Sequence, residues 1–353
     1  MYRDVRRKIP FLAGAKIKNE IYFSAMHMNG LFKYNYETEE CSFITVFEGE
    51  YVAPCLHRKA FVYGNEIWFM PCEAERIAMY DINKKVVQYY EIKNRVKSVA
   101  YWNGYRVGDV LYFMPRDVRT PIAVIDLKTK NISMKKMQID IKGLLSGVVK
   151  LNDNYLVLQQ DGKLFYSKNN QIITLKDSTK EKLPYLSLID DQEMIWLIPF
   201  DSTSIVCYSK EKENIVCEIE LGETSKYCFA TSFDNKVVLF PAEHNRDFCV
   251  ITKGHKKITY CKKHVNSDSE WLEMTEISCE NSKNLWIASS DGDIFEYNRQ
   301  WELKNRFYTF VDSKIYQRCI EENISGEMFI SLYDKENRYL DLQMLLRVIY
   351  KKN

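Results

Sequence analysis

Apolar residues in this 353-residue chain fall in short runs, each closed off by tight polar turns or charged stretches. The clearest runs read Ile67-Trp68-Phe69-Met70-Pro71, Leu111-Tyr112-Phe113-Met114-Pro115 and Ile195-Trp196-Leu197-Ile198-Pro199. Looser copies start at Ile21, Tyr155, Val237, Leu285 and Met328, so successive starts lie 46, 44, 44, 40, 42, 48 and 43 residues apart. The runs do not alternate between apolar and polar positions, which is the pattern of a strand buried on both faces. A polar turn precedes each one, for example Gly64-Asn65-Glu66, Gly108-Asp109 and Asp234-Asn235-Lys236. Asn, Asp and Gly tolerate positive φ or bond their own backbone, as a two-stranded reversal requires.

Each anchor strand is followed by a second strand ending in an aromatic residue or Ile, such as Ile77-Ala78-Met79-Tyr80 or Ile294-Phe295-Glu296-Tyr297. A charged turn (Asp81 to Lys85, Asp126 to Lys130) leads to a shorter strand such as Val86-Val87-Gln88-Tyr89-Tyr90. With a strand ahead of the first turn, Ala60-Phe61-Val62-Tyr63 for one, the unit has four antiparallel strands. Such units at a period in the low forties predict an all-β fold, a β-propeller with one blade per repeat. Pro71, Pro115, Pro199 and Pro241 end four of the anchor strands, where a missing ladder donor does no harm. Eight anchors predict about eight four-stranded blades in one domain over 1–353. The alternative is seven blades and a terminal appendage, because the unit from Tyr155 is short and the stretch Tyr339 to Tyr350 is irregular.

Composition narrows the function classes. Lys and Arg number 50 against 48 Asp and Glu, a net charge of +2, and no basic stripe points to nucleic acid. No run approaches the ~18 apolar residues of a membrane span. The basic N-terminus and the short run Ile9 to Ala15 are not expected to act as a secretion signal, since Pro10 interrupts the run and Lys16 closes it. A cytoplasmic location is expected. The ten cysteines are scattered without a close ligand pair, so reduced, buried thiols are expected, with no metal and no cofactor. Asp291-Gly292-Asp293 reads as a tight reversal, because the further oxygens of a calcium site are not apparent.

The repeat resembles kelch-like propellers and, more loosely, bacterial propellers whose units read aromatic-x-x-Pro followed by a strand ending in Tyr-Asp. Tyr80-Asp81 and Ile125-Asp126 match that ending. The likeness implies the architecture only: the paired kelch glycines and the Trp-Asp ending of WD40 blades are absent, so no family partner carries over.

In such a ring the loops between second and third strands, and between blades, gather around a central channel. These loops supply Arg116, Arg119, Glu243 and His244 from the first set, and Trp102, Tyr105, Arg106 and Trp271 from the second. Aromatic rings with both charge signs suit a protein or peptide partner, or a polar small molecule or sugar. Trp102 and Trp271 lie outside the repeat position held by Trp68, Trp196 and Trp286, and so are candidate contact residues. The main expectation is a non-catalytic scaffold presenting this face to a partner in a larger assembly. The alternative is a carbohydrate-directed enzyme or sugar-binding protein, with Glu243 or Glu73 as acid or base, His244 or His27 as its partner, and Arg116 or Arg119 as a clamp.

Overall fold

A computed structural model describes residues 6–93, 100–137, 139, 141–167, 171–173, 184–221, 226–243, 246–253, 257–261, 273–280 and 282–325. After a two-residue strand β1 (Arg7–Lys8), blade 1 is β2 (Phe11–Ile17), β3 (Glu20–Ala25), β4 (Leu31–Asn35) and β5 (Glu40–Thr45). Blade 2 is β6 (His57–Tyr63), β7 (Glu66–Pro71), β8 (Arg76–Asp81) and β9 (Val86–Glu91). Blade 3 comprises β10 (Tyr101–Val107), β11 (Val110–Pro115), β12 (Ile122–Asp126) and β13 (Ile132–Lys135). Blade 4 comprises β14 (Leu145–Leu151), β15 (Asn154–Gln159), β16 (Leu164–Tyr166) and β17 (Gln171–Ile173). In blade 5 the strands are β18 (Tyr185–Asp190), β19 (Met194–Pro199), β20 (Ser204–Ser209) and β21 (Asn214–Glu220). In blade 6 they are β22 (Tyr227–Phe233), β23 (Lys236–Pro241), β24 (Phe248–Thr252) and β25 (Lys257–Cys261). Blade 7 takes β26 (Met274–Glu276), then skips β27 (Ser278–Cys279), and continues with β28 (Leu285–Ser289), β29 (Asp293–Tyr297) and β30 (Leu303–Tyr308). A strand β31 (Phe310–Val311) and a helix α1 (Ser313–Ser325) follow.

The described residues thus form seven blades, the second of the two arrangements the repeat allowed, and the eighth anchor at Met328 lies outside them. Inner strands of successive blades touch all the way round, and β26 touches β2, so the ring is closed. Among the described residues no blade combines strands from both ends of the chain. Closure comes instead from β1 pairing antiparallel with β31, the Ile9 amide donating to the Thr309 carbonyl at 3.0 Å, and β27 pairing parallel with β2.

Seven apolar clusters fill the seven gaps between neighbouring blades. Ile67 and Phe69 of β7 face blade 1, while Trp68 and Met70 face blade 3. The anchor strands are therefore buried on both faces, as their unbroken apolar runs require. The four prolines sit at the ends of their strands, opposite His57, Tyr101, Tyr185 and Tyr227. The Asp of the Tyr-Asp ending is structural: the Asp81 and Asp126 side chains each accept two backbone amides of the following turn. Cys207 and Cys217 differ from expectation. They face each other across β20 and β21 with Cα atoms 5.1 Å apart and are joined as a disulfide, a spacing within reach of that bond. The other eight thiols are free.

Candidate functional site

A cavity of about 230 Å³ runs along the ring axis and touches the inner strand of every blade. Its shape follows from one repeated irregularity. In blades 1 to 6 the ladder between inner and anchor strand slips by one residue at its start, at Leu12, Arg58, Trp102, Ser146, Leu186 and Cys228. A bulge re-aims the extra side chain, and five of these six residues line the cavity. The bulges lie at the end of the channel where the loops between second and third strands emerge.

At this mouth two guanidiniums contact the Trp102 ring. The Arg58 guanidinium carbon lies 3.7 Å from the ring centroid and that of Arg116 4.3 Å. Arg58 Nη1 reaches a carboxylate oxygen of Glu273 at 3.5 Å, and Glu273 is half exposed. Burial works against the Arg58 charge, but Glu273 and the nearby Cys72 and Cys55 thiols outweigh it and hold the guanidinium above the usual arginine range. Arg116 is held below that range, first by burial and then by the positive charge of Arg58. Its Nε is buried without a hydrogen-bond partner. The Cys72 thiol is pulled down by a hydrogen bond from Cys55, against its own burial, with Arg58 adding to the effect. Deeper in the channel Lys59 is held below the usual lysine range by burial, opposed by Glu276. Glu276 in turn accepts a hydrogen bond from Thr231 at 3.0 Å.

The far end is built differently. In blades 1 to 4 and 6 a two-residue turn joins inner and anchor strands, with positive φ at Lys18, Gly64, Gly108, Asn152 and Asp234. Blade 7 replaces it with a longer segment. From this segment β27 adds to β2, Ser278 Oγ accepts the Val62 amide at 3.1 Å, and Glu280 accepts from Arg106 at 2.9 Å. Ile277–Glu280 therefore straps blade 7 to blades 1, 2 and 3 at that end.

The expected site residues are distributed accordingly. Trp102, Tyr105 and Arg106 sit in the inner strand β10 and not in a loop, because that strand begins as early as Tyr101. Among the described ones, Trp102 and Arg116 meet at the mouth. Tyr105 stacks on Tyr112 with centroids 5.3 Å apart and its hydroxyl accepts the Lys150 amide at 2.9 Å, which ties blade 3 to blade 4. Arg106 belongs to the strap. Arg119 is exposed on the rim and grips Asp117 through two hydrogen bonds of 2.9 and 2.6 Å. Glu243 pairs with Arg246, and His244 and Trp271 lie outside the described residues.

Arg58 and Glu273 were missed as a pair. The signal for Arg58 was present: Phe11, His57, Tyr101, Tyr185 and Tyr227 recur one residue before five of the six bulges, opposite the last residue of the anchor strand, and only blade 4 departs with Leu145. Glu273 breaks the pattern, since blade 7 has no bulge in its inner ladder. Among the described residues no group of three or more His, Cys, Asp or Glu side chains could hold a metal ion, and no helix is long and apolar enough to cross a membrane.

No family model and no curated protein matches the sequence. Solved structures do match. The chain is similar to streptogramin B lyase at 12% identity and TM-score 0.56, covering 82% of this chain and 94% of that one. It is similar to a chain of the mitotic checkpoint complex at 8% identity and TM-score 0.57, over 86% and 90%. PorZ, a surface component of the type-IX secretion system of Porphyromonas gingivalis, matches at 13% identity and TM-score 0.57, over 88% of this chain but 39% of PorZ. At such identities the likeness carries the β-propeller fold and nothing finer.

Proposed function

We propose that this chain is a non-catalytic β-propeller that binds a protein or peptide partner at the mouth of its central channel. The reading is carried by Trp102, an aromatic ring aimed into the channel by a bulge and flanked by Arg58 and Arg116. Tryptophan and arginine are the residue types most enriched at binding hot spots. The β-propeller fold is consistent with a protein-binding scaffold, and one structural neighbour is part of the mitotic checkpoint complex.

The test is affinity purification of the tagged protein from its native cells, with mass spectrometry, in parallel for the native chain and Trp102→Ala. A stoichiometric partner that Trp102→Ala loses is the expected result. A partner held equally by both would place binding elsewhere on the surface. Recovery of the native chain without any partner would remove the scaffold reading.

A further inference from the structure

We infer that the channel mouth is a carboxylate receptor that takes an acidic peptide segment between Arg58 and Arg116, with Trp102 as their shared platform. The inference rests on the partner-binding reading above and names the chemistry of what binds. It starts from a charge imbalance. Two guanidiniums contact one indole, yet Glu273 is the one carboxylate among the described residues that pairs with either of them, at 3.5 Å from Arg58. Arg116 makes no ion pair among the described residues, and its Nε is buried without a hydrogen-bond partner.

Two like charges held this close repel one another, and burial adds to the cost. A second anion seated between them would relieve both, and the planar guanidinium fork matches a carboxylate with two parallel hydrogen bonds. Contact with the one indole holds both guanidiniums near each other before any ligand arrives, so less side-chain freedom is lost on binding. The other titratable groups acting on Arg58 are the Cys72, Cys55 and Cys228 thiols, and the Cys72 thiol answers mainly to its hydrogen bond from Cys55. The chain as a whole carries a net charge of +2, so attraction of acidic peptides would be local to this mouth and not a property of the general surface.

Glu273 then has a defined role as the internal competitor. It occupies Arg58 loosely and half exposed in the free protein, and an incoming carboxylate would displace it.

Fluorescence anisotropy with a labelled hexaglutamate peptide tests this, with hexaglutamine as the neutral comparison and glucuronate and inorganic phosphate as competitors. Hexaglutamate should bind, hexaglutamine should not, and affinity should fall as salt rises. Arg116→Gln should weaken binding about tenfold or more, with Arg116→Lys falling between, since losing one charge-assisted contact is worth roughly that factor. Glu273→Gln should tighten binding, a gain that misfolding cannot imitate. Lys84→Gln, exposed in the turn between β8 and β9 away from the mouth, should leave it unchanged.

Equal binding of the two peptides, or indifference to both Arg116→Gln and Glu273→Gln, would overturn the inference. So would glucuronate or phosphate binding where hexaglutamate does not, which would mark a site for small anions. A captured partner that depends on Trp102 while the peptides fail to bind would leave the proposed function standing and remove this inference. Hexaglutamate binding with no captured partner would do the reverse.

Discussion

At the residue scale, the paired positions His57-Arg58 and Tyr101-Trp102 show how one ladder slip divides the work of neighbouring side chains. The first residue of each pair is buried between blades, while the second is turned into the channel. His57 is 3% exposed, lies 4.4 Å from the Phe47 ring and 5.3 Å from Phe69, and contacts Ser24 Oγ at 2.9 Å through Nδ1. Burial pushes its pKa down to about 3. An unfolded chain takes up a proton at this residue near pH 6.5, whereas the folded chain does not until about pH 3. The stability from a neutral His57 is therefore complete above pH 6.5 and is lost as pH falls through that window. The slope is at most about 1.4 kcal/mol per pH unit for one proton. His57→Phe places at this position the residue blade 1 already has there, Phe11. Urea unfolding at pH 7, 6, 5 and 4 should give a shallower pH dependence for the variant, with the neutral-pH stability lowered by about 1 kcal/mol for the unpaired Ser24 hydroxyl. Parallel profiles for the two proteins would show that His57 does not set the acid response.

At the element scale the inner strands decide how closely blades approach the axis. Gly14, Ala60, Gly104 and Ala230 hold the same place in blades 1, 2, 3 and 6, opposite Phe23, Phe69, Phe113 and Leu239. In blade 4 the tight position is one residue earlier. A Cβ on Gly147 would lie 2.8 Å from the Leu188 backbone nitrogen of blade 5, and backbone cannot step aside as a side-chain tip can. Gly147→Ala is expected to cost about 1–3 kcal/mol through that overlap, read as a lower urea midpoint at unchanged slope. A variant as stable as the native chain would mean that blades 4 and 5 can separate freely. The anchor strands were legible because double burial leaves an unbroken apolar run, and their turns because reversals need Gly, Asn or Asp. The inner strands were legible only in their second halves, as at Ala60 to Tyr63 of β6, since the half that carries the bulge and faces a polar channel has neither pattern. Trp102 consequently read as a loop residue. The strap was equally hidden: Ser278-Cys279 is too short to carry a periodic signal, and pairs with a strand more than 260 residues earlier.

At the scale of the whole molecule, each blade buries its flanks only against its neighbours, so the junction of blades 7 and 1 bears on the entire ring. Asp293 holds that junction. Its side chain is 1% exposed and pairs with Lys8 of β1 and with Arg306 of β30, the latter at 2.6 Å. Beneath the pair, Phe11 and Phe23 of blade 1 pack in one apolar cluster with Trp286 and Ile294 of blade 7 and with Ile315 and Tyr316, from α1. The tight reversal read from Asp291-Gly292-Asp293 is present, with Gly292 at φ +80°, and it delivers Asp293 to this closure. Asp293→Ala leaves two cations facing a buried site without their common anion. The cost is expected at about 2–4 kcal/mol, below that of a fully buried pair because Lys8 and Arg306 are partly solvated. Arg318→Ala, which removes the exposed pair with Glu322 on α1, should cost under about 0.5 kcal/mol. If closure couples all seven blades, the Asp293→Ala protein still unfolds in one transition, shifted to lower urea, with intrinsic fluorescence and far-UV circular dichroism coincident. Two separated transitions would mean that blades 1 and 7 part while the rest of the ring persists, and that the closure serves only its own junction.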